Sequence, residues 1–489
     1  MANETSGHGS QKSYELEELK LYPLSGSSYA APLDIKEIYT GIRIYESVYM
    51  PFMTAQIDVV DSGKNMISSL PIHGYEKVTF KLKTLFTDVK VYSYTFYVYK
   101  ITNRVVNNNS QVYTIHLCTA ESFINEGVRV GIAIKGKAEA AVDKILKEYL
   151  KVTTKTIDFE TSKYNQQING MMKRPYELIG MYANRAIPNA AKTSSGGSAT
   201  ADSGTDIGQN PEKVLQGSGT AGYLFFETYD KFVFKSIDTL LSLRASASGS
   251  ASGFKGEDPV ATYSYSLANS KTANDDQYRI LNYSYLSDLD LAHKLRFGTL
   301  SSVICFFDIN TGKYSEQIYR LPDTYSKMGH IGSASGIPEI HRELAKYPTR
   351  IMSKVVNDEA WFTGTDEPAR PSDGSSTTTS GGGQFLDWQK EYMSQTLTRK
   401  KLLESQKLSV IVPGNLTIRA GSKINIMIPK MTYDNDEQKQ ADPIDRIHSG
   451  AYLVGSVCYN FSRNPFESTC IIEAMRDSYG MTGNSVPNT

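Results

Sequence analysis

Gly74-Tyr75-Glu76-Lys77 leads into Val78-Thr79-Phe80-Lys81-Leu82, and the reading of this stretch decides the fold. Val78, Phe80 and Leu82 alternate with polar residues, the period of a strand with one buried face. The aromatic strand Phe96-Tyr97-Val98-Tyr99-Lys100-Ile101-Thr102-Asn103-Arg104 follows. After a polar turn come Tyr113-Thr114-Ile115-His116-Leu117 and Glu121-Ser122. The same order recurs near the other end of the chain. Gly421-Ser422-Lys423 leads into Ile424-Asn425-Ile426-Met427-Ile428. Then come Tyr452-Leu453-Val454-Gly455-Ser456-Val457, a turn at Arg463-Asn464-Pro465, Cys470-Ile471-Ile472 and Asp477-Ser478. Two like β modules in one chain suit a protein that builds a ring from fewer subunits than the ring has positions. Two unrelated hairpins would leave a similar trace.

Working outward, Met53 to Val59 also alternates, with Ala55, Ile57 and Val59 on one side. Val91 to Ile101 is long enough for one arm of a large hairpin, with Asn107-Asn108-Asn109-Ser110 as its turn. From Ala138 the period changes: Ala138, Ala141, Val142, Ile145, Leu146, Tyr149 and Leu150 form a helical stripe. Pro175 stands at a first helical position before Leu178, Ile179 and Tyr182. Tyr223 to Glu227 and Phe232 to Phe234 flank a tight turn at Tyr229-Asp230-Lys231. Val303 to Asp308 and Lys313 to Tyr319 flank Asn310-Thr311-Gly312. A short helix is expected from Ile237, and a capped one after Ser287-Asp288-Leu289-Asp290. The longest helix candidate is Leu386 to Gln406. Leu408 to Val412 and Leu416-Thr417-Ile418 then read as strands joined by Pro413-Gly414-Asn415. Residues 188–222, 244–256 and 364–383 are Ser/Gly-rich and read as loops.

The chain has 489 residues, with 52 basic against 52 acidic, which disfavours a large basic footprint for stable nucleic-acid binding. Its 32 Tyr beside only 2 Trp fit sheet and interface surface. Cys118, Cys305, Cys458 and Cys470 form no CxxC pair, which points to reduced thiols. Cys458 and Cys470 are placed so that they can face each other across a hairpin. The first residues have no apolar core of a secretory signal, and no apolar run reaches the ~18 residues of a membrane span.

No stretch of the sequence carries a complete catalytic, cofactor-binding or metal-binding motif. Gly217-Ser218-Gly219-Thr220-Ala221-Gly222 matches GxGxxG, but a strand rather than a helix follows it, which removes the phosphate-binding helix terminus. Both Gly-Ser-Ala-Ser-Gly stretches, 249–253 and 332–336, carry Ala where a nucleophile elbow needs Ser. His8, His73, His116, His293, His330, His341 and His448 are scattered, and no two share a helical i, i+4 face. Tyr433-Asp434-Asn435-Asp436-Glu437 begins like a calcium loop. Counted from Asp434, however, Lys439 stands at the turn position and Asp445 at the bidentate one.

Leu408-Ser409-Val410-Ile411-Val412-Pro413-Gly414-Asn415-Leu416-Thr417-Ile418-Arg419-Ala420-Gly421-Ser422-Lys423-Ile424-Asn425-Ile426 resembles the C-terminal module of contractile-tail phage baseplate hub proteins. Ser449 to Val454 with Arg476-Asp477 fits the same pattern. Val48-Tyr49-Met50-Pro51-Phe52 to Leu82 is similar to that family's first module, and Tyr223 to Phe234 to its middle region. The Ser/Gly-rich insertions and the helix near 386–406 depart from it. The resemblance implies an α+β, β-rich fold with two tail-tube-like antiparallel β-barrel or sandwich modules and a mixed α/β middle. The implied divisions are an arm over 1–33, a first module over 34–119, a middle domain over 120–297, a hairpin region over 298–383, a second module over 384–478 and a tail over 479–489.

The resemblance further implies a non-enzymatic virion protein of the tail baseplate, made in the host cytoplasm. It would form a homotrimer whose doubled modules make a pseudo-sixfold ring between the tail tube and a separate spike, beside other baseplate proteins. Genomic DNA would pass through the ring, with no cofactor and no stable small-molecule ligand. A tail-associated glycan or cell-wall hydrolase and a lectin-like adhesin are the alternative readings.

Overall fold

The structure, a computed structural model, describes residues 13–24, 31–62, 72–84, 90–107, 110–189, 220–243, 257–265, 277–287, 290–309, 312, 314–325, 328–331, 339–356, 381–430 and 444–478. Residues 190–219, 244–256 and 364–380 of the Ser/Gly-rich stretches lie outside them, as do both Gly-Ser-Ala-Ser-Gly stretches, 431–443 of the calcium-like loop and 479–489.

The N-terminal part is built from β1 (Tyr14–Tyr22), β2 (Leu33–Asp34), β3 (Tyr39–Ser47), β4 (Thr54–Asp61), β5 (Lys77–Thr84), β6 (Val91–Val106) and β7 (Gln111–Cys118). Neighbours run β3-β4-β7-β6-β5-β1-β2, all antiparallel. β2 pairs with β1 and the chain runs on from it into β3, so the strands close on themselves. Closure leaves the apolar alternation a dry interior: Ile42, Ile44, Ala55, Ile57, Val59, Val78, Phe80, Leu82, Phe96 and Ile115 are buried in one core. Phe80 stacks on Tyr94 at 5.1 Å and on Phe96 at 5.8 Å between ring centroids. Burial of each such side chain contributes roughly 1.5–3 kcal/mol. Residues 14–22, placed in the arm by the sequence, are instead a strand. Tyr14, Leu16, Leu19 and Leu21 point inward from it, and β1 covers the otherwise open edge of β5.

The middle of the chain contains β8 (Ala133–Lys137) paired with β10 (Asn165–Asn169), and a three-stranded sheet of β9 (Thr156–Phe159), β11 (Tyr223–Glu227) and β12 (Lys231–Ser236). The Ala138 stripe forms the helix Ala138–Lys144 and a following π turn, Ile145–Tyr149. Pro175 opens the helix Pro175–Arg185. Next come β13 (Ala261–Tyr265), β14 (Arg279–Ile280) and β15 (Asn282–Ser287), then the helix Leu291–Arg296, whose cap is Asp290 accepting from the His293 amide at 2.9 Å. β16 (Ser301–Asp308), β17 (Tyr314–Arg320) and β18 (Arg350–Val356) make a separate sheet in the order β17-β16-β18. The long helix runs Gly381–Leu403.

The C-terminal part adds β19 (Gln406–Pro413), β20 (Lys423–Met427), β21 (Gly450–Ser462) and β22 (Glu467–Arg476). Their order is β15-β19-β22-β21-β20-β13-β14, and β14 continues the chain into β15, so this set also closes. Three of its strands, β13 to β15, come from 261–287, which the sequence had placed in the middle domain. Leu416-Thr417-Ile418 is a turn rather than a strand. The Asn415 side chain accepts from the Thr417 amide at 2.9 Å and hydroxyl at 2.6 Å, while Leu416 and Ile418 stay buried. Cys458 pairs with Ile471 and Cys470 with Tyr459, so the two thiols take opposite faces of the sheet, and all four cysteines are free.

Candidate functional site, the joint between the two strand rings

The two rings have one plan. Spatial neighbours β3-β4-β7-β6-β5 match β15-β19-β22-β21-β20 strand for strand, in the same chain order. The correspondence extends to single residues. Val98 and Val454 each give their amide to the chain just before the next strand (Glu76 and Ser422 carbonyls, 3.0 and 2.8 Å). Each in turn accepts an amide, from Tyr75 at 2.7 Å and Gly421 at 2.8 Å. Tyr75 and Gly421 share the left-handed backbone region, at φ 74° and 79°. The ladder slips by one residue after both valines, between Val98 and Lys100 and between Val454 and Ser456. The rings differ in the sealing strand, since β1 is antiparallel to β5 while β13 is parallel to β20, and in a second slip of β6 between Thr102 and Val105 that β21 lacks.

The rings meet at a strand pair. β3 of the first lies antiparallel on β21 of the second, from Ser47 opposite Ser456 to Gly41 opposite Ser462. This makes a continuous path β15-β19-β22-β21-β3-β4-β7-β6, in which one four-strand order occurs twice. Glu46, on the inward side of β3, has no exposed surface at this joint. It accepts the Tyr229 amide at 3.1 Å and the Ala420 amide at 3.2 Å, and faces the Arg419 guanidinium at 3.3 Å. Arg419 lies over the rings of Tyr92, Tyr229 and Tyr459 and donates to the Tyr459 hydroxyl at 3.1 Å. Burial raises the Glu46 carboxyl above its ordinary range, and Arg419 and the two amides only partly offset it. Burial opposes the charge on Arg419, but Tyr459 and Glu46 outweigh it and raise its pKa.

Two further buried carboxylates tie the rings to the middle of the chain. Glu227, at the end of β11, accepts the Met53 amide at 2.8 Å and the Thr119 hydroxyl at 2.9 Å, and Lys155 lies 2.7 Å away. Asp477, just past β22, faces Arg399 at 3.1 Å and His330 Nδ1 at 2.6 Å. Arg399 reaches on to Asp238 at 2.7 Å and to the Gly329 carbonyl at 2.7 Å. Burial opposes the Asp477 charge, yet His330 and Arg399 pull the carboxyl down to about 2.

His8 lies outside the described residues, and the described histidines fall in separate places. His116 meets the Thr102 hydroxyl at 2.6 Å on the outer side of the β6–β7 ladder, and burial lowers its pKa. His330 belongs to the Asp477 network, and His448 sits 2.6 Å from Asp445. Among the described residues no three His, Cys, Asp or Glu gather to hold a metal ion. No described helix is long and apolar enough to cross a membrane. In the GxGxxG stretch, Thr220 donates to Asp238 through its amide at 2.7 Å and its hydroxyl at 2.5 Å, and Gly222 runs straight into β11.

No sequence motif marks Glu46, Glu227, Arg399 or Arg419. Two left a trace in the sequence: Glu46 follows Ile42 and Ile44 at the position where alternation calls for an apolar residue, and Glu227 ends the aromatic run Tyr223-Leu224-Phe225-Phe226.

No protein-family model matches the chain, and no curated protein does. Similar solved structures include a tail protein from Neisseria meningitidis (TM-score 0.47, 10% identity, covering 95% of this chain and 97% of that one). A second is a 43 kDa tail protein of a Shewanella oneidensis prophage (TM-score 0.44, 10% identity, 95% and 100%). A third, from Escherichia coli (TM-score 0.39, 8% identity, 96% and 80%), is a type VI secretion system component described as similar to phage tail proteins.

Proposed function

We propose that this chain is a structural hub subunit of a contractile phage tail baseplate, in which three copies form a ring of six like modules. One observation carries the reading: the path β15-β19-β22-β21-β3-β4-β7-β6 repeats one four-strand order, and the repeat is joined head to tail at β21 and β3. A contact between two different surfaces of like units continues until the rotation closes it into a ring. A doubled unit lets a threefold part present sixfold spacing. The sequence resemblance of 408–426 to hub modules supplies the partners: tail tube protein on one end of the ring, a trimeric spike on the other, and neighbouring baseplate proteins around it. A chain with balanced charge suits an opening through which DNA passes without being gripped. The role asks for no cofactor and no catalysis, and it places the protein in the virion.

Light scattering on the purified chain, alone and mixed with its spike, tests this. Three copies per particle, with sixfold-like projections in electron micrographs, are expected. A single copy per particle in both samples refutes the hub.

A further inference from the structure

The joint between the rings uses one edge from each, and the corresponding two edges have no ladder neighbour among the described residues. In the second ring, β21 pairs with β20 through Gly450 to Leu453 and then offers Ser456 to Ser462 to β3. In the first ring, β6 pairs with β5 through Val91 to Tyr97, and on that side Lys100 to Val106 meet no strand among the described residues. Both segments start after the same one-residue slip; a second slip in β6, between Thr102 and Val105, adds one residue there, so positions are matched through β7 and β22 and not by counting along β6. Likewise β3 uses one side for β4 and the other for β21, whereas β15 uses one side for β19 alone. The acceptor edge on β6 and the donor edge on β15 stand at opposite ends of the eight-strand path, so the chain carries both halves of a contact that it already makes once internally.

We infer that β15 of one copy adds antiparallel to residues 100–106 of β6 in the next copy, repeating between chains the β3–β21 joint found within each. This rests on the ring reading above and names its contact. The register follows from the ladders. Arg43 pairs with Gln56, and Gln56 with His116; Ser284 pairs with Ser409, and Ser409 with Glu473. His116 and Glu473 both lie opposite the residue that follows the slip, so Ser284 occupies the place of Arg43. Asn460 pairs with Thr469, four residues before Glu473, and Val105 with Val112, four before His116. Arg43 faces Asn460 at the internal joint. Ser284 of one copy therefore faces Val105 of the next, and Tyr283 faces Val106.

The surface chemistry agrees. Val105 and Val106 are 57% and 62% exposed and Leu286 is 55% exposed. An open ladder edge bearing bare apolar side chains is a liability unless another strand covers it. Main-chain hydrogen bonds from an added strand give affinity, and alternate side chains set register.

Disulfide trapping tests the contact, because opposed residues on antiparallel strands lie about 4.5–5.5 Å apart at Cα, within disulfide reach. S284C and V105C chains are purified, checked for the parent's melting temperature, mixed and oxidised, with the oxidised parent as control for the native thiols. Covalent pairs are expected in the mixture and in neither single variant. The S284C/V105C double variant should give species of up to three chains and no larger. Particles of three copies without cross-links overturn the strand assignment and leave the ring standing. Chains that stay single, or a cross-link closed within one chain, overturn the assignment as well, and the first of these takes the ring with it.

Discussion

Arg419→Met is the sharpest test of how the two rings are held together. The substitution keeps much of the side chain's length over Tyr92, Tyr229 and Tyr459 but removes the cation that faces Glu46. Glu46 has no exposed surface and keeps the Tyr229 and Ala420 amides. Breaking a buried pair by deleting one partner costs roughly 3–5 kcal/mol, because a charge is left without compensation. Glu46 has an escape: it can take up a proton. Its folded-state pKa already lies above the ordinary carboxylate range through burial, and the loss of Arg419 raises it further. A carboxyl with a raised folded pKa favours the fold most below its unfolded pKa of about 4.3. Stability then falls by up to ~1.4 kcal/mol per pH unit as pH rises toward the folded value. The deficit of the variant relative to the parent must therefore be largest near pH 8 and shrink toward pH 5. Urea midpoints at both pH values measure it. Adding Glu46→Gln removes the stranded charge, so the double variant should recover most of the loss at pH 8 and show no excess pH dependence. A deficit below about 1 kcal/mol at pH 8 refutes the reasoning, as does an equal deficit at both pH values.

Arg399→Met should cost a similar ~3–5 kcal/mol, since Asp238 and Asp477 are both wholly buried, and Asp477→Asn in the same chain should return part of it; urea unfolding measures both. Asp477 titrates at about 2 in the fold against an ordinary 3.8. Its contribution of ~2 kcal/mol is thus present above pH 4 and is lost as pH falls through 2, and acid unfolding of Asp477→Asn should lack that component. Gly421→Ala places a Cβ 2.5 Å from Phe226 Cζ at a φ of +79°, so a melting temperature lowered by a loss of ~2 kcal/mol or more is expected.

What the sequence disclosed depended on local pattern. The β5–β6–β7 and β20–β21–β22 triplets were legible because one buried face imposes an apolar alternation, and Val78, Phe80 and Leu82 or Ile424 and Ile426 carry it openly. The helix at Pro175 and the hairpin at Tyr229 were legible for the same reason: their signals lie within a few residues. β1 was missed because Tyr14-Glu15-Leu16-Glu17-Glu18-Leu19 is acidic and breaks its alternation at a bulge between Leu16 and Glu18. β13 to β15 were missed because their partners, β19 and β20, lie more than a hundred residues further on, and no local period reports a pairing at that distance. The buried carboxylates were hidden likewise. Glu46 makes sense only when Arg419 is beside it, and only the pairing of β3 with β21 brings the two together.

The rings share a backbone plan yet differ at the one point that would make their two joints interchangeable. By the alignment of Tyr75 with Gly421, Gly74 corresponds to Ala420 and His73 to Arg419. In the second ring the Ala420 amide is served by Glu46, which arrives from the other ring. In the first ring the amides of His73 and Gly74 are served at 2.6 and 2.9 Å by Glu76, a residue of the same segment. The first ring therefore satisfies itself, while the second needs its neighbour. Desolvating a charge pair is costly to repeat at every encounter between free chains but is met once, during folding, when both halves belong to one polypeptide. On the proposed arrangement the intrachain joint holds the buried charges, while the joint between copies pairs Ser284 and Tyr283 with Val105 and Val106, and the charges of its β6 segment, Lys100 and Arg104, are exposed. A contact of that kind has no counterpart of the buried Glu46–Arg419 pair, and its apolar side chains leave water only when the strand is in register.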